Sequence, residues 1–176
     1  MDIDIKVVNA AIVAGTPALV IALGAFFTAK LVTARLETQK QHLELYKTLY
    51  LERIAAAKKL TEMAGKVHLG IADHITRLEL GMARSEENTK ETNQTALELV
   101  TFNRANRWLL GEEVYNASEQ VLGCYRDYSG AHSAGRGDVM RQCVDVTLEK
   151  ITLLNEAVYA VMLSDDLERF VGKRRR

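Results

Sequence analysis

The chain is poor in residues that punctuate or staple a fold. Its 176 residues include one proline, Pro17, one tryptophan, Trp108, and few other aromatics. It contains no strand pattern of useful length and no internal repeat. An excess of alanine, leucine and glutamate marks the composition as helical. Its two cysteines, Cys124 and Cys143, lie too far apart in sequence for a metal or redox motif. They are expected as small apolar fillers of a reduced domain. Charge of one sign is also lacking, since 23 basic residues balance 23 acidic ones. That balance excludes a globally basic nucleic-acid binder and an acidic tail. There is no P-loop, no serine–histidine triad signature and no carboxylate–histidine set of the di-iron bundle type. His42, His68 and His74 do not pair at helical spacing, and Asp73 and His74, being adjacent, diverge. No enzyme, cofactor or metal site is expected.

What is present begins with AAIVAGTPALVIALGAFFTA, residues 10–29, a stretch without charge. Twenty residues match a hydrocarbon core of roughly 30 Å. A core helix of this length would carry a polar face. A cleaved secretory signal would open on a basic segment, whereas MDIDIK is acidic. A retained transmembrane helix is therefore expected. Lys30, Arg35 and Lys40 follow the span and only Lys6 precedes it. Positive flanks stay in the cytoplasm, so the N-terminus should lie outside and residues 30–176 inside, at a bacterial inner membrane.

Within the span, Ala11, Gly15, Ala18, Ala22, Ala25 and Ala29 alternate by four and three. Such a seam of small residues allows close helix–helix approach in lipid. A homo-oligomer through this seam, lining or gating a pore, is the expectation. A plain alanine-rich anchor is the alternative. Pro17 should bend the span, while Thr16 and Thr28 could face a partner or a lumen. The alternation continues through Val32, Leu36, Gln39, Leu43, Tyr46, Tyr50, Arg53, Ala57, Leu60, Ala64, Val67, Ile71, His74 and Leu78. A sustained 3.5-residue repeat predicts a supercoiled packing surface. The span is expected to run into a long helix ending near Arg84, its cytosolic part serving at least partly as the core of a bundle.

SEENTKET, residues 85–92, reads as a loop or a helix N-terminus. A second helix is expected from about Asn93 to Leu110, with Leu97 and Trp108 among its apolar positions. Gly111 should end it, and Glu112 and Glu113 should open a third, running to about Tyr128. SGAHSAGRGD, residues 129–138, reads as a loop. Asp138 is the expected N-cap of a fourth helix reaching Val161, and Ser164 or Asp165 should cap a last short one. The fold class is all-α: one N-terminal transmembrane helix (residues 1–36 with its tail) continuing into a cytosolic antiparallel helical bundle (residues 37–176).

Two stretches could bind a ligand. In FNRANRW, residues 102–108, Asn103 pairs with Asn106 and Arg104 with Arg107 at a spacing of three. Arginines can pair with phosphates, asparagines can read an adenine edge, and Trp108 can stack on a base. The alternative is a solvated face with Trp108 in the core. In RDYSGAH, five residues separate Arg126 and His132. Arg136 follows in a glycine-rich segment whose backbone donors could hold phosphate. The arginine–histidine spacing resembles that of the nucleotide-binding helical-bundle ribonucleases, where the arginine stabilises phosphate charge and the histidine handles a proton. Those pairs sit on a helix, whereas here the glycines predict a loop. GKRRR, residues 172–176, is a solvated tail that could touch anionic lipid or nucleic acid.

The small seam at 11–29, RDYSGAH and the overall layout resemble small single-pass membrane effectors and accessory proteins of bacterial anti-phage defence systems. The resemblance implies an oligomer whose membrane helices form or gate a pore, causing depolarisation and growth arrest. It implies control by a nucleotide, an oligonucleotide or an operon-encoded protein partner acting on the bundle. Two further readings are a non-conducting membrane-tethered scaffold that docks a cytosolic partner and, more distantly, a membrane-bound ribonuclease.

Overall fold

The computed structural model of the chain describes residues 5–83 and 85–163, with their side chains from residue 25 onward. The expected short helix after Ser164 and the GKRRR tail lie outside the described residues, as do the side chains of Ala11, Gly15, Ala18 and Ala22. The elements formed by the described residues are all helices, without strands. There are four helices: α1 (Ile5–Glu79), α2 (Glu86–Leu110), α3 (Glu112–Ser133) and α4 (Gly137–Leu163). The chain divides into two compact units, Met1–Lys47 and Thr48–Arg176. Among the residues whose side chains are described, no helix is long and apolar enough to cross a membrane; most of residues 10–29 lies outside that set.

Helix α1 stops five residues before Arg84 because Gly81 adopts a left-handed φ of 66°. The Met82 amide reaches back to the Arg77 carbonyl (2.8 Å) and the Gly81 amide to Leu78 (3.1 Å). This pair of bonds closes the last turn where only glycine is unstrained. Helix α2 starts at Glu86, seven residues earlier than expected. The Ser85 side chain accepts from the Asn88 amide (3.2 Å), and Glu86 and Glu87 occupy the positive end of the helix. Gly111 alone joins α2 to α3, as its position in LLGEEV predicts.

The α3–α4 connection corrects the expected ten-residue loop. Helix α3 runs on to Ser133, so Gly130 and His132 are helical. Only Gly135 acts as a stop, with φ of 68°; the Arg136 amide bonds to Ala131 (2.9 Å) and the Gly135 amide to His132 (3.1 Å). Asp138 falls in the first turn of α4, which begins at Gly137.

The core of the second unit is built on the seam read from the sequence. Ala57, Leu60, Ala64, Val67 and Ile71 of α1 are buried against Leu99 and Leu110 of α2, Val114 and Val121 of α3, and Leu154 of α4. The polar seam members Arg53 and His74 are buried with them, whereas Leu78 is exposed. Upstream the same seam emerges: Val32, Leu36 and Leu43 are 55–70% exposed. On α2 the buried positions Thr92, Ala96, Leu99, Asn103 and Leu110 define the inner face. Leu97 and Trp108, read as apolar positions of the helix, fall on the other side and are exposed, so the alternative that places Trp108 in the core does not hold.

Candidate functional site

FNRANRW does not form one binding face, because its residues serve different parts of the α2–α3 joint. Asn103 is only 1% exposed. Its amide donates to the Tyr115 carbonyl (3.2 Å) and to Glu119 Oε1 (3.3 Å), stitching α2 to α3. Asn106 donates back to the Phe102 carbonyl at 2.9 Å. Arg107 is clamped by Glu112 through Nε (2.8 Å) and Nη2 (2.6 Å), with its guanidinium over the Tyr115 ring at 4.5 Å. The Glu112 hydrogen bonds, and then its charge, raise the Arg107 pKa. A two-pronged pair of this kind is structural glue across the joint. Arg104, Ala105, Arg107 and Trp108 are the exposed members of the motif, and of these Arg107 is held by Glu112.

The RDYSGAH stretch behaves differently from both of its sequence readings. Arg126 and His132 share helix α3, so the loop objection to the ribonuclease-like pair falls away. Their side chains nevertheless leave the helix in different directions. Arg126 runs back toward Glu119, two turns upstream, at 4.0 Å. His132 turns to the bundle, its ring 4.8 Å from that of His74 at 85° and stacked over Tyr128 at 6.4 Å. The expected phosphate loop is also closed. The amides of Ala134, Gly135 and Arg136 all bond to carbonyls of α3, leaving no nest of free donors.

Sequence reasoning missed the polar cluster at this end of the bundle. His74 of α1 is buried, and its Nδ1 is hydrogen-bonded to the Tyr128 hydroxyl of α3. Beside it, Asp73 accepts from Arg77 Nε (2.8 Å) and from the Asn88 side-chain amide, tying α1 to the start of α2. Arg77's hydrogen bond is the main cause holding the Asp73 carboxyl below its ordinary range. Gly70 lets Thr92 approach closely here, since an added Cβ would stand 2.0 Å from the Thr92 hydroxyl. The cleft lined by Asp73, His74, Asn88, Tyr125 and Tyr128 has room for about one water molecule, too little for a nucleotide. The signal was legible in part, because His74 is a polar residue in an apolar seam. Tyr128 and His132 lie one helical turn apart, and the supposed loop concealed that relation.

Of the expected small-residue seam, Ala25 and Ala29 are described and exposed, beside exposed Phe26 and Phe27. Lys30 Nζ lies over the Phe26 ring at 5.0 Å. The Thr28 hydroxyl donates to the Ala25 carbonyl at 3.0 Å. Among the described residues no three acidic, histidine or cysteine side chains are grouped to hold a metal ion. Comparison with protein-family models, curated proteins and solved structures finds no match.

Proposed function

We propose that this chain is an oligomeric single-pass membrane effector of bacterial anti-phage defence, not an enzyme. Residues 10–29 cross the inner membrane with the N-terminus outside, and the bundle in the cytoplasm controls a pore formed or gated by the spans. One observation carries the reading: a helical backbone runs from Ile5 through a charge-free stretch that is rich in alanine. At its cytoplasmic end Lys30 and Arg35 offer the basic groups that favour the cytoplasmic side of a membrane. The contact surface is the seam of Ala11, Gly15, Ala18, Ala22, Ala25 and Ala29, where small side chains permit close packing. Arg104 and Trp108, both exposed on α2, are the residues of FNRANRW we assign to contact a nucleotide or oligonucleotide.

Seam substitutions test this function. Gly15→Leu and Ala22→Leu keep the segment apolar but add bulk, which commonly costs about 1–3 kcal/mol per site in a close-packed contact. Crosslinking in membranes and toxicity on induction should fall together in both variants. Leu19→Ala and Leu23→Ala, off the seam, should leave both readouts near wild type. If the leucine variants crosslink and act as the parent does, the segment is an anchor only. The non-conducting scaffold then takes over, a reading favoured by the exposed apolar seam downstream of the span.

A further inference from the structure

We infer that the first unit of α1, from Val32 to Lys47, is a docking surface for an amphipathic helix with acidic flanks supplied by another protein. In the 3.5-residue repeat, Leu36 and Leu43 take the a positions, and Val32, Gln39 and Tyr46 take the d positions. Val32, Leu36 and Leu43 are exposed, and Leu43 is 70% so. The same repeat twenty residues on is the core of the second unit, with Leu60, Val67 and Ile71 fully buried. From Ala57 to His74 the chain covers this sequence pattern with its own helices. The exposed a and d residues, widened at the c positions by exposed Leu31 and Leu45, form a face that one partner helix can cover.

The flanks decide which helix. The g positions hold Arg35 and His42, and the e positions hold Lys40 and Lys47. In a parallel pair of identical chains, Arg35 would face Lys40 of the second copy and His42 would face Lys47. In an antiparallel pair, e would face e, lysine against lysine, and g would face g, so no acidic residue meets a basic one. Flanking charges set partner choice in such pairs, so a second copy is disfavoured here and glutamates at e and g are favoured. Glu37 and Glu44 sit at b positions, outside the contact of a two-helix pair. Gln39, polar and exposed at a d position, would fix the register. The stripe lies downstream of the small-residue seam, so self-association in the span and heterotypic docking on the stem are separate events.

The test uses the full-length chain in neutral detergent micelles and three synthetic helical peptides. The first has leucine at a and d with glutamate at e and g. The second is the same with lysine at e and g, and the third is residues 30–50 of this chain. The acidic peptide should bind at least about tenfold tighter than the other two at low salt, as several exposed ion pairs together would give. Leu36→Ser with Leu43→Ser should abolish that binding. Arg35→Glu with Lys40→Glu and Lys47→Glu should reverse the preference to the basic peptide. All five positions are exposed, and α1 should stay folded, as circular dichroism would verify. Equal binding of acidic and basic peptides, or tightest binding of the chain's own segment, overturns the assignment. So does binding only to vesicles of anionic lipid, with no peptide preference. None of these outcomes bears on the span, which the seam crosslinks address separately.

Discussion

Single residues at the crossing of α1 and α2 make opposite demands on glycine. Gly70 is a true close approach, with the Thr92 hydroxyl, Cγ2 and Cβ all within 2.9 Å of where a methyl would stand. Gly70→Ala should therefore destabilise the bundle by about 1–3 kcal/mol in chemical denaturation. Adding Thr92→Ala should recover part of that loss by removing the two nearest atoms. Gly65 and Gly130 are helical, and nothing lies within 4 Å of an added Cβ at either. Gly65→Ala and Gly130→Ala should each stabilise, by up to about 1 kcal/mol, because alanine restricts the unfolded chain. A second residue-scale effect depends on pH. Burial holds the His68 imidazole below its ordinary value of 6.5. As pH falls through 6.5 the unfolded chain takes up the proton first, so stability declines until the folded value is passed. Melting curves between about pH 7.5 and 5.5 should show this decline in the parent, and His68→Gln should flatten it.

At the scale of elements, helix α1 uses one repeat for two purposes, and substitution separates them. Leu60→Ala and Ile71→Ala empty fully buried sites and should each cost about 2–5 kcal/mol. Leu36→Ala and Leu43→Ala alter exposed sites and should change the same denaturation midpoint by less than about 0.5 kcal/mol equivalent. The repeat itself was legible in the sequence, as were α2, α3 and α4 and the Gly111 joint. What it could not disclose was where the seam finds cover, because that depends on helices tens of residues away. Helix ends failed for a local reason. In SGAHSAGRGD the three glycines look alike as letters, yet only Gly135 takes positive φ; Gly130 stays inside α3, and Gly137 opens α4. Asn103 was misread for another reason: its partners, Tyr115 and Glu119, lie on the next helix, and composition alone does not locate them.

For the whole molecule, the proposed membrane orientation rests on charge. A reporter fused after Arg176 should be active in the cytoplasm, because Lys30, Arg35 and Lys40 follow the span and only Lys6 precedes it. Reporter activity in the periplasm would reverse the orientation, and loss of the first 29 residues from the mature protein would remove the span. The buried half of α1 has a further consequence, for biosynthesis. Ile75 leaves the ribosome 79 residues before Leu154, the last large member of the core. At about 5–20 residues per second, the apolar seam of the nascent chain waits roughly 4–16 s for its final cover. Chains released after Glu79 or Leu110 should aggregate or be degraded unless a chaperone holds them, whereas chains that include α4 should accumulate. Ribosome-release fragments compared by pelleting and pulse-chase would measure that interval directly. The protein's vulnerability then belongs to the seconds of its synthesis, and slow codons between α1 and α4 would lengthen it without changing one residue of the product.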